Sequence, residues 1–274
     1  MDESKFVVSE YGSEVKYLWQ GFLPLESVVV IKSGKRFEPD KAAKDKIAAY
    51  ILESLKEDPK WFDGAKLRFD NFYEQGTTLF INAGWTKFSE NKVMSKIPRH
   101  TMEWYPNELS VDTLQETVDG YFPLGKRGKS NIFPGFIDSY GCGTYGTKVN
   151  TAETVEDECK EETKYLFTRE PFDITNARAM ALIWGMSHNT TLGIYLPIKV
   201  KEAHLAPGND EHNEIVLLPN SRENIEQLLN TGKIGEAIVF DHTIGLIEQY
   251  IKNRTDGNIK PVRVHSGLQR IIER

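Results

Sequence analysis

Residues 143–164 read GTYGTKVNTAETVEDECKEETK. Asn150 is a helix cap, and Glu153 three residues on completes a capping box. The spacing predicts a helix from about Thr151 to Tyr165. On it Glu158, Glu161 and Glu162 fall at i, i+3 and i+4 and share one face. Three carboxylates on one face repel one another unless a cation offsets them, and hard oxygen ligands of this kind suit Mg²⁺ or Mn²⁺. The plain alternative is a solvated acidic stripe, which is common on exposed helices. Two features argue against it. Val155, Cys159 and Leu166 mark an opposite, buried face. The loop just before the helix, Gly141-Cys142-Gly143-Thr144-Tyr145-Gly146, lets backbone approach a ligand closely.

Upstream of the loop, Leu109, Val111, Thr113 and Gln115 alternate as on a strand. Asp119-Gly120 is a strong hairpin signal, with Tyr121 to Gly125 as the return strand. Downstream, residues 178–186 and 192–200 read as strands, and Gly208 to Asn213 as a polar loop. A short strand at 215–218 and helices at 221–230 and 242–253 follow. The tail beyond Thr255 carries no deciding pattern. Toward the N-terminus, residues 27–32 read as a strand and Pro39 to Leu55 as an amphipathic helix stopped by Asp58-Pro59. Strands are expected at 66–70 and 77–83, and residues 84–108 as a connection. A soft boundary near residue 105 separates an N-terminal α+β region (1–105) from a second domain (106–274).

The segment resembles the box of the Nudix hydrolase family, G-x5-E-x7-R-E-U-x-E-E-x-G-U, where U is a bulky apolar residue. The first glycine falls on Gly143. The Glu-U-x-Glu-Glu core falls on Glu158-Cys159-Lys160-Glu161-Glu162 with no gap between the anchors. The approach TVDGYFPLGKRGKSNIFPGFIDSYGCG is also similar, and the resemblance covers roughly residues 109–253. Three positions depart from the box. Val149 stands at its first glutamate, Asp157 at its arginine and Lys164 at its last glycine.

The resemblance implies an α/β/α sandwich around a mixed sheet, preceded here by the smaller α+β region. It implies Mg²⁺-dependent hydrolysis of a nucleoside diphosphate linked to another moiety, of the nucleotide-sugar or ADP-ribose type, with Mn²⁺ as the alternative metal. Glu158, Glu161 and Glu162 carry over as metal ligands, joined by the backbone carbonyl of Cys142, and Glu158 is also a catalytic candidate. The family draws a general base from a loop after the box, where this chain offers Glu211 and Glu214. Arg127 is a candidate phosphate grip. Cys159 is read as core, His212 and His188 as solvated, and Trp184, Tyr195 and Trp85 as packing residues. The losses at Val149 and Asp157 motivate a second reading, a non-catalytic Nudix-fold module that binds a nucleotide or a protein.

Composition narrows the field. The chain has 274 residues and a formal net charge of −6, so it lacks the broad basic surface that holds nucleic acid. Two cysteines make no disulfide framework or zinc spacing. The opening MDESKFVVSEYG is acidic and lacks a long apolar run, so no signal peptide is expected, and no apolar run is long enough to span a bilayer. A cytoplasmic protein with a small-molecule nucleotide substrate, and no nucleic-acid or membrane partner, is expected. The N-terminal region is similar in flavour to extra segments of some Nudix proteins, where they shape substrate choice or a homodimer contact.

Overall fold

The computed structural model describes residues 7–8, 15–95, 104–128, 133–146, 149–166, 168–185, 189–208 and 211–254. His188, most of the N-terminal segment read against a signal peptide, and the tail from Thr255 lie outside these. The elements run β1 (Val7–Val8), β2 (Lys16–Pro24), β3 (Val28–Arg36), α1 (Lys41–Glu57), β4 (Ala65–Gln75), β5 (Thr78–Lys87), α2 (Phe88–Met94), β6 (Leu109–Glu116) and β7 (Tyr121–Arg127). They continue β8 (Ile137–Ser139), β9 (Gly143–Thr144), α3 (Thr151–Glu162), β10 (Thr163–Tyr165), β11 (Arg178–Trp184), β12 (Thr190–Pro197) and β13 (Leu205–Pro207). The last are β14 (His212–Pro219), α4 (Arg222–Thr231), β15 (Lys233–Ile234), β16 (Ala237–Ile238) and α5 (Asp241–Arg254).

Alternating apolar positions build a central mixed sheet buried on both faces, with strand order β1-β2-β11-β12-β6-β9. β6 and β12 run parallel, from Leu109 opposite Thr190 to Glu116 opposite Pro197. The remaining pairs are antiparallel. One face carries Leu114, Met180 and Ile183 against Ile244, Ile247 and Tyr250 of α5. The other carries Val111, Leu182 and Ile194 against Val155 and Cys159 of α3. The fold is thus α/β, with helices on both sides of a mixed sheet. A smaller sheet, β3-β5-β4, joins the α3 side through Val30, Phe69 and Ile81. A third, β14-β7-β8, carries the loops that close on the site.

Asp119-Gly120 does turn the chain, with Thr117 N donating to Tyr121 O at 2.9 Å. The two strands do not form a hairpin ladder, however. The edges of β6 are taken by β12 and β9, and those of β7 by β14 and β8. The helix over the box ends at Glu162, because Thr163–Tyr165 leaves as β10 to pair with β13. Leu166 is therefore exposed rather than part of a buried helix face. Residues 84–108 contain α2, whose Glu90 accepts from Lys87 N at 2.9 Å and from Thr86 Oγ1 at 2.8 Å. β2 escaped notice in the sequence. It pairs with β11 and buries Tyr17 and Trp19, so N-terminal residues complete the sheet of the second half.

Candidate active site

The box helix is held at its start by Asn150, whose Oδ1 accepts from Ala152 N at 3.1 Å and Glu153 N at 3.3 Å. Its inner stripe of Val155 and Cys159 is fully buried. That rotation sends Glu158 and Glu162, one turn apart, toward the glycine loop, and leaves Glu161 exposed. Glu162 is buried, and its Oε2 accepts from Gly141 N at 2.8 Å and Cys142 N at 3.5 Å. Glu158 lies directly on Gly143, where an added Cβ would stand 2.0 Å from its carboxyl carbon. Gly141 has φ +73 and faces Cys159 Sγ at 2.5 Å from its would-be Cβ. Glycine is required there by both conformation and space.

The electrostatics follow from burial. Desolvation, then Glu161, pushes Glu158 up to about 7, with Lys66 opposing and Glu211 and Asp157 adding. Desolvation pushes Glu162 well above the usual carboxylate range, against the Gly141 N–H that favours its charge. In both, burial outweighs the repulsion from neighbouring carboxylates.

The loop after the box closes over them. Gly208 N donates to Glu162 O at 2.7 Å, and a Cβ at Gly208 would stand 2.3 Å from Glu161 O. Glu211 O accepts from Gly128 N at 2.8 Å. Glu211 raises the pKa of both Glu158 and Glu162, so its charge stands near theirs. Glu214 instead sits 3.6 Å from Lys126 Nζ and is exposed. Of the two base candidates, the structure brings Glu211 to the box.

Beneath the glycine loop lies a second acidic layer that the sequence did not disclose. Among the described residues, Asp112, Asp138 and Cys142 bring one ligand atom each within 4.8 Å of one another. Their partners make this a hydrogen-bonded network rather than a free cation cage. Asp138 is paired with Arg127 and accepts from Thr243 Oγ1 at 3.0 Å. Asp112 accepts from Ser139 Oγ and from Cys142 Sγ at 2.9 Å. Burial, then Asp138, pushes Asp112 up to about 7. Burial, then Asp112, pushes the Cys142 thiol well above its ordinary value, so the thiol stays protonated and donates. Arg127, expected at a phosphate, is held by Asp138 and lies over the Phe240 ring at 5.6 Å. The one sequence sign of this layer was Asp112 inside an otherwise inward-facing strand.

His212 also differs from expectation. It is buried, because β14 begins at this residue and its ring packs on Gly125 and beside Tyr140, with ring centroids 4.6 Å apart. Val149, at the box's first glutamate position, packs against the core, and Asp157, at the arginine position, is exposed. Trp184 is buried, and Trp85, expected at the domain interface, packs against the core cluster shared by the small sheet and α3. Tyr195 donates to Glu116 Oε2 at 2.5 Å.

No family model matches the sequence, and no curated protein does. Solved structures that resemble the chain include a MutT protein from Methanosarcina mazei Go1, 18% identical, TM-score 0.36, covering 54% of this chain and 96% of that one. A MutT/nudix family protein from Enterococcus faecalis is 16% identical, TM-score 0.38, covering 64% and 70% respectively. These likenesses are distant.

Proposed function

We propose that the chain is a Mg²⁺-dependent hydrolase of the phosphoanhydride bond in a nucleoside diphosphate linked to a second moiety, of the nucleotide-sugar or ADP-ribose type. The observation that carries this is the pair Glu158 and Glu162, one turn apart, partly or wholly buried and facing the glycine loop. The donor types suit a hard divalent cation: carboxylate oxygens, the carbonyl of Cys142, and Glu161 at the exposed rim; among the described residues the three-ligand group already within 4.8 Å is Asp112, Asp138 and Cys142, so binding would have to draw the box glutamates together. When bound, the cation supplies charge neutralisation on phosphate oxygens and a more acidic water. Glu158 and Glu162 would hold it, and the Gly141 and Cys142 amides fix the Glu162 carboxylate in place. Glu211 takes the proton of the attacking water. Arg127 enters through Asp138, anchoring the strand under the glycine loop, with phosphate contact as its further role in this reading. The hydrolase unit is residues 106–274 completed by β2. Two free thiols fit a reducing cytoplasm. Among the described residues no helix is long and apolar enough to cross a membrane.

The packing of Val149 into the core favours one competitor, a binding module without turnover. Incubating the protein with a panel of nucleoside diphosphate compounds, in Mg²⁺ or in EDTA, separates the two. Metal-dependent release of two phosphate-bearing products supports the hydrolase and names its substrate class. Binding of a panel member without release, unchanged by EDTA, supports the module.

A further inference from the structure

Beside the box lies an aromatic cluster that the hydrolysis chemistry leaves unused. The loop between β7 and β8 is closed at its neck, where Arg127 N donates to Phe136 O at 2.8 Å and Gly135 N to Arg127 O at 2.9 Å. It carries Phe133, whose φ is +61. That left-handed conformation is an outlier for a bulky side chain, and it persists only where the surroundings impose it. Here the surroundings are aromatic. The Phe133 ring centroid lies 5.5 Å from that of Phe136 and 5.6 Å from that of Phe240, with the planes tilted by 50° and 58°. Phe240 is buried, and its N donates to Ile137 O at 2.7 Å, which fixes it under the loop. Phe133 and Phe136 remain partly exposed. Core filling does not account for the strain, because the ring it places stays partly in water.

The cluster is tied to the box at two points. Arg127 lies over the Phe240 ring at 5.6 Å and pairs with Asp138 beneath the glycine loop. Gly128 N donates to Glu211 O at 2.8 Å. The loop that bears Phe133 is therefore bonded to the loop that bears the proposed base. A rigid, partly exposed phenyl ring next to a phosphate-handling site suits a flat π-faced group, which a nucleobase is.

We propose that Phe133 is the stacking surface for the nucleobase of the substrate, with Phe136 and Phe240 as the wall that holds its ring in place. This rests on the diphosphate lying at the box as proposed above. Phe133 then acts as a specificity residue. It separates nucleoside diphosphates from diphosphates that lack a base, and it tolerates any base, because every base has a π-face.

The test uses two non-hydrolysable probes with the full chain in Mg²⁺. One is α,β-methylene-ADP. The other is methylenebisphosphonate, which keeps the two phosphorus groups and lacks the nucleoside. Calorimetry gives the affinity of each for wild type, Phe133→Gly and Phe133→Tyr. Glycine takes φ +61 freely, so Phe133→Gly removes the ring and keeps the turn. That variant should bind α,β-methylene-ADP about tenfold or more weakly and methylenebisphosphonate within about twofold of wild type, with Phe133→Tyr like wild type. Saturation-transfer magnetic resonance should show transfer from phenylalanine ring protons to the adenine protons. It should vanish in Phe133→Gly and in protein made with ring-deuterated phenylalanine. The labelled wild type reads the contact even where a variant folds poorly. Transfer that persists in Phe133→Gly, equal weakening of both probes, or unchanged α,β-methylene-ADP affinity overturns the stacking role and leaves the hydrolase reading standing. No binding of either probe by the wild type overturns both.

Discussion

Glu158 and Glu162 sit in one helix turn, yet burial holds both above the ordinary carboxylate range. The sign of the consequence follows from linkage. Glu158 binds its proton more tightly folded, near 7, than its usual 4.5. Its contribution to stability is therefore fully present below about 4.5 and is lost as pH rises through about 7. In EDTA, the melting temperature of the wild type should fall more steeply between about pH 5 and pH 8 than that of Glu158→Gln, as scanning calorimetry would show. Equal slopes would mean that Glu158 is solvated. A ligand must be deprotonated to take a metal, so metal affinity should rise across the same window. These charges were legible as a pattern, since three glutamates at i, i+3 and i+4 need only helical geometry. Their inequality was not. It comes from the rotation of α3 about Val155 and Cys159, which hides Glu162 and leaves Glu161 in water. Asp112, Asp138 and His212 were illegible for the same reason, because each gains its role from partners distant in sequence.

At the scale of elements, the site is a clasp between α3 and two loops, with glycines where backbone meets carboxylate or backbone. Gly143→Ala puts a Cβ into the Glu158 carboxyl group. It should cut kcat/KM by at least about 100-fold, while the melting temperature moves little because that carboxylate can swing outward. Gly208→Ala meets the main chain of Glu161 and Glu162, at 2.3 and 2.7 Å, and backbone cannot swing away. It should cost about 1–3 kcal/mol in denaturant unfolding and displace Glu211 as well. A Gly208→Ala protein as stable and active as wild type would contradict the clasp. The start of α3 was readable from Asn150 and Glu153, because a cap is a local contact. Its end was not, because Thr163–Tyr165 leaves the helix to pair with β13, some forty residues on. The Asp119-Gly120 turn likewise announced itself, whereas the division of β6 and β7 between two sheets depends on strands that arrive later in the chain.

Across the whole molecule, the central sheet needs both halves of the sequence. β2 covers the edge of β11, and Trp19 packs in the cluster that holds Val155 and Cys159. A fragment of residues 106–274 loses that strand and bares an apolar sheet edge. It should fail to fold as a soluble monomer, and a cooperative melt of the isolated fragment would show that the N-terminal region is dispensable. The alternating strands and capped helices made an α/β fold readable. The part played by β2 was not, because KYLWQGFLP finds its partner more than 150 residues away. In the proposed reaction Glu158 and Glu162 would together hold the divalent cation, and water would cleave the diphosphate. The most direct test is the turnover rate on the panel compound the wild type cleaves best, as a function of Mg²⁺ concentration, for wild type, Glu158→Gln and Glu162→Gln. Wild type should show Mg²⁺-dependent turnover, abolished by EDTA and reduced at least about 100-fold in each variant. Turnover that ignores EDTA, or that survives in both variants, would contradict this.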